Sequence, residues 1–92
     1  MEEESLIAPT ILRNLNDKLY EKRKIGAIAL EELVKQHRLF MRLGSVKKLT
    51  QFIVDALVYS TNVNTRKGGL IGLAAVAIGM GKVIFYFLPF SK

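Results

Sequence analysis

Ninety-two residues allow one domain, and half of them are apolar, so the composition argues against a disordered chain. The lack of cysteine excludes a disulfide framework and thiolate metal sites, and the start MEEESLIAPT lacks the basic-then-apolar order of a secretory signal peptide. The formal charge is +6, and three of the eight acids are Glu2, Glu3 and Glu4 in an acidic tail over residues 1–8, so the remaining chain sets 14 cations against five acids and suits an anionic partner: nucleic acid, acidic headgroups or an acidic protein.

Pro9 is placed to open a short helix, where its missing N–H costs nothing, and Ile11, Leu12 and Leu15 form that helix's apolar stripe. Asn16 or Asp17 can cap the next helix, which runs to about Gln36. At 100° per residue, Leu19, Gly26, Ala27, Ala29, Leu30, Leu33 and Val34 share one side of it, and Lys24, Glu31, Glu32 and Lys35 lie opposite. Glu31 and Lys35 make a favourably oriented i,i+4 pair. Gly26 lowers helix propensity by about 1 kcal/mol within the apolar stripe, which predicts that another backbone comes close there.

Residues 37–44 (HRLFMRLG) read as a connector anchored by Leu39, Phe40 and Leu43, with His37 as a C-terminal capping residue. Ser45 caps a further helix with Val46, Leu49, Ile53, Ala56 and Leu57 inside, and Lys47, Lys48, Gln51 and Asp55 outside. Residues 60–65 (STNVNT) form a polar turn, and Thr65 caps a last helix starting at Arg66. That helix, RKGGLIGLAAVAIGMG, opens with two cations and then carries no charge through Gly81. It reads either as the inner helix of a helical stack or as the first half of a membrane span. The aromatic tail, residues 83–92 (VIFYFLPFSK), contains Pro89, which prevents an uninterrupted helix, and has no place in this architecture.

The chain echoes itself at an offset of 43 residues. Arg23-Lys24-x-Gly26-x-Ile28-x-Leu30 falls on Arg66-Lys67-x-Gly69-x-Ile71-x-Leu73, and in both places a short apolar helix and a polar turn precede the arginine. Two helices in a period of about 40–47 residues are the signature of HEAT and armadillo repeats. The expected fold is therefore all-α: antiparallel helix pairs forming two such repeats of an α-solenoid, at about residues 9–40 and 45–82. Asp17 to Arg23 matches the polar ladder of HEAT repeats in spacing, although Ser60 stands where the second unit would carry its Asp. Arg66 and Lys67 at a helix N-terminus oppose the dipole by roughly 0.3–1 kcal/mol per charge, and Asp17 is the carboxylate placed to offset them.

Three blocks carry a family resemblance: NLNDKLYEKRK (Asn14 to Lys24), ALEELV (Ala29 to Val34) and TRKGGLIGLAAVAIGMGK (Thr65 to Lys82). In this order and spacing, and over roughly Ile7 to Lys82, they closely resemble the amino-terminal HEAT repeats of the vacuole-morphology scaffold (vacuole protein fourteen) of the phosphatidylinositol-3-phosphate 5-kinase complex. The resemblance implies a non-enzymatic scaffold on the cytosolic face of endosomes or vacuoles. Such a scaffold brings a lipid kinase and an opposing lipid phosphatase together to control phosphatidylinositol 3,5-bisphosphate. Members of the family continue for many more repeats, so a truncated product, a fragment or an imperfect gene model is expected here.

No catalytic constellation stands out. One His, no Cys and acids scattered over helix faces supply neither a nucleophile–base pair nor a metal cluster, so no enzyme activity, cofactor or metal is expected. The expected packing and ladder residues are Asp17, Arg23, Gly26, Arg66 and Gly69. Lys22, Lys24, Lys47, Lys48 and Lys67 are candidates for contact with an acidic partner or lipid headgroups, giving peripheral membrane association. Nucleic acid is not expected, because the aromatics are not interleaved with the cations. The alternative function is a small membrane-associated protein anchored by Leu70 to Leu88, nineteen residues that include one charge, Lys82, and overlap a GxxxG at Gly68 and Gly72. With two repeats where three usually make a stable stack, self-association is also expected.

Overall fold

The computed structural model describes residues 6–82. Pro9 supplies the fixed φ that starts helix α1 (Pro9–Leu15), which stops at Asn16, whose side-chain amide bonds back to Leu12 O at 3.0 Å. Helix α2 (Tyr20–Leu39) follows a short turn, and α3 (Leu43–Ile53) passes without a break into a π-helical turn (Val54–Val58). Helix α4 (Val63–Met80) ends at Gly81, whose φ of 59° suits a residue without a Cβ. Among the described residues all regular structure is helical, as an all-α, HEAT-like arrangement requires.

The apolar stripes of the four helices meet in one core. Ile7 with Ile11 and Leu15 of α1, Ala27, Leu30 and Val34 of α2, Val46, Leu49, Ile53 and Leu57, and Ala75, Val76 and Met80 of α4 are all buried. Each fully buried aliphatic side chain contributes roughly 1.5–3 kcal/mol. Helix α1 turns back along α2, α3 turns back along α4, and α2 and α4 run parallel, each lying against the other. Glycines set the closest approaches in this arrangement. A Cβ on Gly68 would overlap the Leu15 carbonyl, and one on Gly79 would stand 2.8 Å from Val34 Cβ.

Several boundaries differ from the sequence reading, each for a local reason. The cap of α4 is Asn62, whose side chain accepts the Thr65 N–H at 3.0 Å, so the helix begins three residues before Arg66 and Thr65 is the cap's partner. Neither Asn16 nor Asp17 is the N-cap of α2; Leu19 holds that position, and the Asp17 carboxylate accepts the Leu19 N–H instead. Ser45 lies inside α3, which starts two residues earlier at Leu43. The connector between α2 and α3 shrinks to Phe40, Met41 and Arg42, and Leu39 and Phe40 do not anchor it: they are 73% and 69% exposed. Ala56 is exposed, because the extra residue in the π-helical turn rotates it off the stripe while Leu57 stays buried. Leu19 is exposed as well, since it precedes the helix whose stripe it was assigned to.

Among the described residues, no helix is long and apolar enough to cross a membrane. Residues 83–88 of the Leu70 to Leu88 candidate, like the rest of the aromatic tail and Glu2 to Glu4, lie outside the described residues.

Candidate interaction surface

The two turns that lead into α2 and α4 repeat one hydrogen-bond pattern at an offset of 43. Arg23 Nη1 donates to the Asp17 carbonyl at 2.9 Å, and Arg66 Nη1 donates to the Ser60 carbonyl at 3.0 Å. Asp17 Oδ1 accepts the Leu19 N–H at 2.9 Å, and Ser60 Oγ accepts the Asn62 N–H at 3.0 Å. Each side chain at the head of a turn holds the N–H two residues on, the common role of Asp and Ser in such positions. Each arginine then ties the turn's carbonyl to the first turn of the following helix.

The partner of both arginines is therefore a main-chain carbonyl, and the expected Asp17–Arg66 side-chain pairing is not formed. Among the described residues the ion pairs join Lys35 to Glu31 at 3.1 Å and to Glu32 at 3.6 Å. Glu31 and then Glu32 hold the Lys35 ammonium above its ordinary pKa. The Asp17 carboxylate is occupied by its own turn. Gly26 and Gly69 follow the same offset: a Cβ on Gly26 would stand 3.1 Å from Leu15 N, and one on Gly69 would stand 2.8 Å from Val58 N.

The N-terminal parts of α2 and α4 enclose a shallow cleft of about 400 Å³, lined by Tyr20, Arg23, Lys67, Leu70 and Ile71. Arg23 is only 7% exposed, and its guanidinium carbon lies 5.9 Å from the Tyr20 ring centroid. The buried cation is stabilised by the Asp17 carbonyl and by the Tyr20 ring face. Lys67 is exposed beside it, and Lys22 and Lys24 are exposed on α2. Lys47 and Lys48 are exposed on α3, whose inward stripe is Val46, Leu49 and Ile53, so they belong to a different helix from the cleft-lining cations. Aliphatic floor and cationic rim together fit an amphipathic acidic segment.

Tyr20, Leu70 and Ile71 were not nominated by sequence, although Tyr20 and Leu70 stand one helical turn from Arg23 and Arg66. Gly79, which meets Val34, likewise carries no mark in the sequence as a contact point. No group of three or more His, Asp or Glu that could hold a metal ion occurs among the described residues. His37 occupies the last turn of α2, but its Nε2 is buried without a hydrogen-bond partner, so the ring nitrogen does not cap the helix. Burial, and secondarily the charge of Arg42, hold its imidazole pKa below the ordinary value.

The chain is similar to three curated proteins from a plant and two yeasts. It is 43% identical over 76 residues, 83% of its length, to Protein VAC14 homolog of Arabidopsis thaliana. It is 41% identical over 73 residues to Vacuole morphology and inheritance protein 14 of Saccharomyces cerevisiae, and 40% identical over 76 residues to Protein VAC14 homolog of Schizosaccharomyces pombe. The matches take in 10%, 8% and 9% of those proteins, so the chain resembles a fragment of them. No protein-family profile matches the chain. No solved structure matches it.

Proposed function

We propose that this chain acts as a non-enzymatic interaction module of the vacuole-morphology scaffold type. Its two helix pairs, at about residues 9–40 and 45–82, are read as HEAT repeats. In this reading it contributes to assembling the lipid kinase and lipid phosphatase that set phosphatidylinositol 3,5-bisphosphate, on the cytosolic face of endosome or vacuole membranes. The carrying observation is identity of 40–43% to three VAC14 proteins across most of this chain. The cleft at Arg23 and Lys67 supports it, because an aliphatic floor with cations at its edge suits a protein segment better than a small substrate.

Affinity capture of the tagged 92-residue chain from cells, followed by mass spectrometry, tests this reading. Enrichment of the lipid kinase or phosphatase by the wild-type chain, reduced at least about fivefold by Lys67→Glu as expected for charge reversal at an interface, is the expected result. Capture of neither enzyme would overturn it.

A further inference from the structure

The α2–α3 turn carries an apolar tip that neither the core nor the cleft uses. Leu39, Phe40 and Met41 are consecutive, and 73%, 69% and 78% exposed. Single exposed apolar residues are ordinary, but three in a row at a turn are not. Turn positions normally go to Gly, Asn, Asp or Ser.

The backbone sharpens the anomaly. Arg42 N–H bonds to His37 O at 2.7 Å and Met41 N–H to Arg38 O at 3.1 Å, the two crossed bonds of a Schellman ending. The residue at the turn of that motif adopts a left-handed conformation and is usually glycine. Here it is Met41, with φ of 59°, the one non-glycine among the described residues with a positive φ. A long apolar side chain thus occupies a position where glycine is favoured, and it points into solvent. Fold stability does not account for that choice.

The surroundings are cationic. From Leu33 to Val54 the chain has no Asp or Glu; Lys35 is paired with Glu31 and Glu32, which leaves Arg38, Arg42, Lys47 and Lys48 as the cations of this stretch. Arg42 is exposed, with its guanidinium 5.5 Å from the Phe40 ring. Arg38 Nη1 lies beside Gly81 at the end of α4, which brings exposed Lys82 to the same end of the molecule. We infer that Leu39-Phe40-Met41 is a membrane-docking tip, which inserts into the interfacial region of an anionic bilayer while Arg42 and Lys82 meet the headgroups. Apolar and aromatic side chains beside cations are the side-chain chemistry of interfacial anchoring. A protein partner fits the tip less well. It is convex, and three side chains fall short of the roughly 800 Å² per partner that a standard interface buries. The inference stands apart from the scaffold reading, since its test needs only chain and lipid.

The test uses the whole chain and vesicles of phosphatidylcholine with 30% phosphatidylserine or none. The chain has no Trp, so Phe40→Trp and, as a control just past the π-helical turn, Tyr59→Trp each report one position. Tyr59 is 76% exposed, comparable to the tip. With phosphatidylserine present, Trp fluorescence at position 40 shifts to the blue and is quenched by lipids brominated near the headgroup, while position 59 is unchanged. Met41→Gly provides the second measurement: it raises the melting temperature and weakens vesicle sedimentation at least about threefold, and the triple serine variant of residues 39–41 weakens it about tenfold or more. Equal shifts at positions 40 and 59 would overturn the inference. So would undiminished binding by Met41→Gly and the triple variant, or equal binding to vesicles without phosphatidylserine.

Discussion

Gly68 and Gly44 allow the helix packing to be tested with one chemical change, Gly→Ala. At Gly68 the new methyl would overlap the Leu15 carbonyl oxygen and stand 2.6 Å from its carbon, and both atoms are main chain. Neither can rotate away, so α1 and α4 must separate by about 1–2 Å to restore ordinary contact distances. Overpacking of this kind costs about 3 kcal/mol, against which alanine returns about 1 kcal/mol of helix propensity. The net loss is about 2 kcal/mol, or roughly 8–16 °C in melting temperature for a chain of this size. Gly44 is the control, because it lies in α3 with nothing within 4 Å of a new Cβ. Its substitution gains propensity alone, about 0.5 kcal/mol so near the helix start, and raises the melting temperature by roughly 2–4 °C. Circular dichroism at 222 nm during thermal and urea unfolding measures both. A Gly68→Ala variant that melts at or above the wild type would show that close approach of α1 to α4 is not why glycine stands there.

The arginine turns and the half-buried His37 imidazole give further predictions. Arg23→Met and Arg66→Met each remove a charged donor and leave a carbonyl unpaired, lowering stability by about 1–1.5 kcal/mol. A double-mutant cycle between Asp17→Ala and Arg66→Met closes with a coupling below about 0.5 kcal/mol, whereas a coupling above about 1 kcal/mol would restore the side-chain pair in place of the carbonyl contact. For His37 the folded pKa is lowered, so the unfolded chain binds more protons below the ordinary value near 6.5. Its contribution is fully present above that pH and is lost as pH falls from there toward the folded pKa. His37→Gln should flatten melting temperature against pH between about 5 and 7, and an unchanged slope would rule the group out.

How much of this was legible depended on whether a feature is written in side-chain period or in backbone geometry. The inward stripes of α2 and α3 were readable from spacing, since Leu30, Val34, Val46, Leu49, Ile53 and Leu57 are buried as their period requires. Glu31 and Lys35 pair at 3.1 Å for the same reason. The start of α4 was misplaced because Asn62 and Thr65 are both good capping residues. Only the chain direction at Asn62, extended at φ −80° and ψ 123°, decides between them. The π-helical turn at Val54–Val58 has no composition signal, so Ala56 was put inside. At the tip, Leu39 and Phe40 read as anchors because burial is the usual fate of such residues, yet both are exposed. The cleft needed the parallel contact of α2 with α4, which brings Tyr20 and Leu70 together from positions 50 residues apart.

The 43-residue echo shows why side-chain identity was the wrong place to look for the ladder. Reading Asp17 as the arginine's partner made the second turn defective, because Ser60 has no charge to offer. With the acceptor on the main chain, the two turns are equivalent: helices start 43 residues apart at Tyr20 and Val63, and the arginines reach carbonyls six residues back at 2.9 and 3.0 Å. Position 17 or 60 then needs only a short side chain that can accept the N–H two residues on, which Asp and Ser both do. The constraint on the arginine is stricter. It must span a turn and place a donor on a carbonyl whose position the backbone has already set, a reach suited to a long side chain ending in a planar fork of donors. The repeat is thus held in common by Arg23 and Arg66, by Gly26 and Gly69, and by the backbone they touch, while the side chains that head the two turns, Asp17 and Ser60, differ in charge.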